Sequence, residues 1–587
     1  MLKRITSANT KKIKIYTDES ILFFMKMKNN TTRIKKRTIN KNPLIMKRRE
    51  IIKQLGVVPI AGSFLATGSM FGGTFKESSP INRGTALGDE SVFDAIGVET
   101  IINCRGTFTI LGGSTERPEV LEAIEAASGY FVQYDELAFG IGKRLAEITK
   151  APWGIVSSGC AAGLKLVTAA CVAGGNPEKL VRIPDLSGLE KTEVIAPRYS
   201  RNVYDHAIRN IGVTMIDVDS PEELEQAINP RTAMIYVNSD TDSATGQPLS
   251  LEVICKIAKS RNIPVLVDAA AEDLTIPCVH LERGATVVAY SGGKAICGPQ
   301  CAGVLLGDKD LLMAAWQASS PHHGPGRDNK VGKEEMLGML AAVEAWTTRD
   351  HKAEWKTWLS WLDEIAAKVK KVEGITTEVT KPEGLSNRAP VLQIKWDPDT
   401  LNITGEEVAE EVARNTPRIA IGARTAENGT SINITPSQMR PGDAKVVADR
   451  LFGILSKERS PRSDEMAPAK GNVSGRWDVE MDFFTSKSEH RFFLEQDGNW
   501  IKGSHQSDFS TQEIAGMAEG DEVKLRSRYR APGDGITYWF SGKLSGDTLA
   551  GSVFLGEYLT ARFTAKRSAY REGNDRIVVP GGPPLAT

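Results

Sequence analysis

The sequence predicts an α/β chain: a doubly wound, mostly parallel sheet, a smaller α/β domain after it, and an antiparallel β domain appended at the C-terminus. Three observations carry this. From Trp153 to Leu306 short apolar runs alternate with helical segments, the order that builds a parallel sheet. Residues 374–456 repeat the alternation with shorter pieces, for example 390–394 as strand and 406–414 as helix. From Gly475 onward strands follow one another at 477–484, 489–496, 500–503, 523–529, 536–544 and 559–566, parted by Gly and Asp turns, as in a β sandwich or barrel.

The bulk numbers bound the rest. A chain of 587 residues exceeds what one core supports, so several domains are expected. Lys+Arg and Asp+Glu are equal at 73 each, so net charge makes no case for nucleic acid as a partner. The seven cysteines form no CxxC, which argues against a disulfide framework or a zinc site.

In chain order, residues 1–45 are basic and aperiodic, either a disordered tail or sequence upstream of a true start at Met46. Residues 46–74 read as a twin-arginine-type signal: Arg48-Arg49, then Glu50-Ile51-Ile52-Lys53 and a weakly apolar stretch too interrupted for a stable membrane span. The expectation is export, to the periplasm in a cell with two membranes; if the signal is misread, the protein is cytoplasmic. A linker (75–91) leads to a large domain (92–335). A long helix opening at Lys333 leads into the small domain (336–456). A second linker (457–473), the β domain (474–568) and a loose tail (569–587) complete the chain. The β domain has no Cys and no clustered acids, so no chemistry is expected in it.

Candidate chemistry gathers at the carboxyl ends of the predicted strands, where open α/β sheets bind ligands. The apolar run 263–268 ends in Asp268, and the run 285–290 leads into Ser291-Gly292-Gly293-Lys294. A lysine and a carboxylate on neighbouring strand ends suit pyridoxal phosphate (PLP): the lysine to form a Schiff base, the carboxylate to keep the pyridine nitrogen protonated. A buried structural ion pair is the competing reading. Ser158-Gly159-Cys160, between a strand and a small-residue helix, reads as an anion site for the cofactor phosphate, though Ser-Gly is also an ordinary helix cap. His206 is a candidate ring to stack on the pyridine, or else a surface helix residue. His322-His323 has no carboxylate cluster nearby, so no metal is expected.

Between about Val92 and Leu455 the chain resembles the bacterial selenocysteine synthase (L-seryl-tRNA(Sec) selenium transferase) family, and within it the relatives that do not use tRNA, such as D-glucosaminate-6-phosphate ammonia-lyase. The resemblance is carried by Val267-Asp268-Ala269-Ala270-Ala271, Ser291-Gly292-Gly293-Lys294, Gly298-Pro299-Gln300, and Gly326-Arg327 with Lys330-Val331-Gly332-Lys333-Glu334-Glu335. It implies a fold-type I PLP enzyme, a dimer or larger homo-oligomer with sites at the subunit interface. Lys294 would be the Schiff-base lysine and Asp268 the pyridinium partner. Ser158, Gly159 and Ser291 would hold the phosphate, with Arg327 and Lys330 on phosphate or substrate anion. The expected activity is a lyase eliminating a β substituent or ammonia from a small amino acid or amino sugar acid. Selenium transfer on seryl-tRNA, transamination, racemisation and a catalytically silent exported binding protein are the alternatives. The signal at Arg48-Arg49, the lack of a basic tRNA-binding domain between Gly73 and Val92, and the appended β domain depart from the tRNA-using enzymes.

Overall fold

The computed structural model describes residues 91–426, 429–461 and 465–569. The basic segment, the twin-arginine-type signal and nearly all of the first linker lie outside the described residues, as does the tail from residue 570.

Seven strands form the large sheet. Their spatial order is Trp153–Ser157, Gly303–Gly307, Val287–Ser291, Val265–Asp268, Thr232–Asn238, Glu193–Pro197 and Thr214–Val218. All neighbours are parallel except Gly303–Gly307, which runs antiparallel to both strands beside it. The central strands are apolar without alternation because both faces are covered; Val265–Asp268 is buried at every position. The helix Cys160–Ala173 crosses beneath the sheet, and its small side chains let it be buried nearly all round. One continuous core joins Val120 to Trp346 and takes in the helix Lys333–Thr348.

A second core gathers around Leu362, Ile394, Ile432 and Leu451. Its antiparallel sheet has the order Gly422–Ala426, Gly429–Ile434, Val391–Trp396, Thr376–Thr380. The helix Gly405–Arg414 opens on a capping box between Thr404 and Glu407. Two details cross the sequence boundaries. Lys333–Thr348 packs in the large core, while Cys104 and the strand Ile101–Asn103, parallel to Arg418–Ala420, belong with the small domain. Local sequence cannot show which core a short apolar run will join.

The β domain is a closed barrel of eight antiparallel strands between Gly475 and Arg567, the first pairing with the last through Val479 and Ala565. Inward residues alternate with outward ones, as at Trp477, Val479 and Met481. Closure decides between sandwich and barrel. Two of the strands, Thr511–Glu519 and Thr548–Phe554, were not expected from the sequence. The first buries only Ile514 and Ala518, and the second is short and built largely of small residues. Among the described residues no helix is long and apolar enough to cross a membrane, and no group of His, Cys, Asp and Glu is arranged to hold a metal ion.

Candidate active site

Three strand ends build the site. Trp153–Ser157 runs into Ser158 and Gly159, and the helix Cys160–Ala173 begins at once. The first backbone N–H groups of a helix have no intrahelical partners, so they face the loop as anion donors. Gly159 has φ 95°, a conformation that side chains resist, and a Cβ placed on it would meet nothing within 4 Å. The loop is thus an open cradle. Ser157 Oγ pins it by donating to the Gly159 carbonyl at 2.8 Å. Gly303 closes it from below: a Cβ there would lie 2.7 Å from the Gly159 carbonyl carbon and 2.9 Å from the Cys160 nitrogen. Gly303 pairs with both Ser157 and Ser291, so the half-buried Ser158 and Ser291 come to the same sheet edge.

Asp268 ends its strand fully inside the protein. One oxygen accepts from the Ala270 N–H at 3.1 Å and from the Cys160 thiol at 3.3 Å; the other accepts from the Tyr236 hydroxyl at 3.3 Å. Burial pushes its carboxyl above the ordinary value, opposed by those hydrogen bonds and by the nearby charge of Lys294. Burial and Asp268 together push the Cys160 thiol up, so this cysteine is a neutral donor. Among the described residues Asp268 has no ion pair. A dry, raised carboxyl without a paired cation, beside an open anion cradle, fits a cofactor that brings both a protonated ring nitrogen and a phosphate.

Lys294 stands at the mouth, half-buried, after the Gly292-Gly293 turn. Both glycines are needed: a Cβ on Gly292 would lie 2.6 Å from the Pro299 carbonyl oxygen, and one on Gly293 2.8 Å from the Gln300 Cα. Lys294 opens into a cavity of about 740 Å³, whose lining includes Arg105, Tyr204, Arg349, Lys352 and Arg388 against two carboxylates, Asp273 and Glu354. Arg349 is fixed by Glu354 at 3.0 Å and donates to the carbonyl of Ala295, next to Lys294.

The structure therefore brings together Lys294, Asp268, Ser158, Gly159, Cys160 and Ser291. His206 is exposed at the start of the short helix His206–Arg209, and the side chain from that segment lining the cavity is Tyr204. Arg327 and Lys330 are exposed and are not part of the cavity wall; Arg327 donates to Ser320 Oγ at 3.1 Å, and Lys165 ties their loop through Asp328. Sequence reasoning missed Tyr236, Arg105, Arg349 and Arg388. Tyr236 had a signal: within the run 233–237 of its strand the tyrosine hydroxyl is the one polar side-chain group and must find a buried partner. The arginines had none, since they come from distant segments.

Residues 138–348 match the family of Cys/Met metabolism PLP-dependent enzymes. The chain is 28% identical over 376 residues to D-glucosaminate-6-phosphate ammonia lyase of Salmonella typhimurium (strain 14028s / SGSC 2262), covering 62% of this chain and 98% of that protein. It is 27% identical over 374 residues to 5'-C-glycyluridine monooxygenase-decarboxylase of a Streptomyces species, covering 62% of this chain and 92% of that one. The solved structure of D-glucosaminate-6-phosphate ammonia-lyase superposes with a TM-score of 0.55 at 26% identity, over 62% of this chain and 98% of its own. The family match, residues 138–348, ends before the barrel, whose first strand begins at Gly475. Sheet order, cradle, carboxylate, lysine and these likenesses agree: the chain is a fold-type I enzyme that depends on pyridoxal phosphate, similar to selenocysteine synthase and its ammonia-lyase relatives.

Proposed function

We propose that the chain is a lyase that removes a β substituent or ammonia from a small amino acid or amino sugar acid carrying an anionic group. The observation that carries this is the cavity at Lys294, where Arg105, Arg349, Lys352 and Arg388 outnumber Asp273 and Glu354. A volume of about 740 Å³ suits a small polar substrate with room to turn. The 28% identical relative is named as an ammonia lyase on an amino sugar acid phosphate, which supports the same class here.

PLP supplies an electron sink for charge developing at the substrate Cα. The protein's own residues do the rest. Cavity cations dock and orient the substrate anion. Lys294 Nζ, at the cavity mouth, takes the proton from Cα and can return it to the leaving group. Asp268, held by Tyr236, Cys160 and the Ala270 N–H, would be the carboxylate that pairs with the ring nitrogen. Ser158, Gly159, Ser291 and the helix N-terminus would hold the phosphate.

A homo-oligomer fits the surface: Tyr130, Phe131 and Val132 are consecutive and exposed, Phe131 completely, between the helices Pro118–Ser128 and Tyr134–Thr149. In such an assembly Arg327 and Lys330 would serve a neighbouring subunit's site. Export through Arg48-Arg49 completes the proposal. Purified protein incubated with amino acids and amino sugar acids should release ammonia and a keto acid, and Lys294→Ala should abolish both the visible cofactor band and the release. Transfer of the amino group, or inversion at Cα with no ammonia, would refute the lyase assignment.

A further inference from the structure

The barrel touches the catalytic domain at a telling place. The tip between the strands Glu522–Ala531 and Asp534–Ser545 presses on residues 201–209. There Asp205, fully buried, accepts from Arg201 and, at 2.8 Å, from Arg209. Arg209 also holds Asp534 of the barrel at 2.6 Å, and Arg201 donates to the Pro532 carbonyl at 3.3 Å. Gly533, between them, has φ 83°; a Cβ there would lie 2.6 Å from an Asp205 carboxylate oxygen and 3.0 Å from the Asn202 carbonyl oxygen. Only glycine allows the tip so close.

The segment held in this way reaches the site by two routes. Tyr204 lines the cavity with Lys294. Asn202 accepts from the Tyr204 N–H at 2.8 Å and donates through Nδ2 to the Tyr236 hydroxyl at 3.4 Å, which in turn donates to Asp268 at 3.3 Å. From Asp534 the contacts run through Arg209, Asp205, Asn202 and Tyr236 to Asp268, the Asp205 N–H donating to the Asn202 carbonyl at 3.2 Å.

We propose that the hairpin tip, through Gly533 and Asp534, is a positioning element of the active site. It fixes Asn202 and Asp205, and so aims the Tyr236 hydroxyl at Asp268 and sets Tyr204 in the cavity wall. The barrel then acts on the cofactor site without contributing a group to it. This rests on reading Asp268 and Lys294 as the cofactor pair.

The test uses the full-length protein and compares Asp534→Ala, Asn202→Ala, their double variant, and Lys502→Ala, which removes an exposed barrel ion pair with Glu495. Each is measured for PLP dissociation constant, position of the visible band, kcat and melting temperature. Asp534→Ala and Asn202→Ala should each weaken PLP roughly ten-fold, within the usual range of coupling between sites, and shift the band alike. The double variant should lose no more than the worse single one, since both cut one chain of contacts. Lys502→Ala should match wild type. An Asp534→Ala protein that melts lower but keeps PLP affinity, band and kcat within about two-fold would overturn the inference, as would additive losses in the double variant. A wild-type protein with no Lys294-dependent band would overturn the cofactor reading and this inference with it.

Discussion

Replacing Asp268 with asparagine tests the site most sharply, because the same carboxylate should have opposite effects with and without cofactor. The side chain is buried and meets three donors, Ala270 N–H, Cys160 Sγ and Tyr236 Oη. At an effective dielectric of about 20, opposite charges about 4 Å apart are worth about 4 kcal/mol. Losing that term where charge develops slows turnover roughly a thousand-fold. In the cofactor-free protein the sign reverses. Burial holds Asp268 above its ordinary value of 3.8, so the folded chain binds this proton more tightly than the unfolded chain does. The contribution to stability is full below pH 3.8 and is lost as pH rises through the raised value. Asparagine lacks this penalty. Apoprotein Asp268→Asn should therefore melt above wild-type apoprotein at pH 8, yet gain less on adding PLP. The assay pairs kcat per bound PLP with melting curves of both forms. Near-normal kcat per bound PLP, or an apoprotein that melts lower, would mean that Asp268 is a structural carboxylate.

Gly303→Ala should push the phosphate cradle off its strand, since the new methyl meets the Gly159 carbonyl carbon at 2.7 Å; PLP affinity should fall roughly five- to hundred-fold by titration of the apoprotein, the range of a typical overpacking cost of about 1–3 kcal/mol. His505 lies inside the barrel, its pKa pushed down by burial to about 3, so the folded barrel resists its protonation. That contribution is present above about pH 6.5 and is lost as pH falls toward 3, so wild type should lose more melting temperature than His505→Gln between pH 7 and pH 5. Arg48→Lys/Arg49→Lys should hold the chain in the cytoplasm, read by fractionation; unchanged export would reject the signal.

The sheet was legible because its strands are buried on both faces and so read as unbroken apolar runs, and because Asp268 and Lys294 each stand at the end of one. The Ser158–Cys160 cradle was legible from the strand, glycine and helix order. What remained hidden depends on distance in sequence. Arg388 and Arg105 reach one cavity from opposite ends of the catalytic region, and no periodicity links them. His206 carried the expected ring, but the short helix turns it outward and lets Tyr204, two residues earlier, line the wall. The strand Thr511–Glu519 escaped notice because only two of its residues, Ile514 and Ala518, are buried.

The antiparallel strand Gly303–Gly307 also sets an order of events. It is the piece that joins the cradle strand, ending at Ser157, to the lysine strand, ending at Ser291, and it leaves synthesis after both. Until residue 307 has emerged and slipped between them, no backbone ladder links the strand ending at Ser157 to the strand ending at Ser291. Bringing Ser158 and Ser291 to one sheet edge therefore needs a long-range closure across about 150 residues. A chain that must leave its compartment already loaded would have to delay departure until that closure is made.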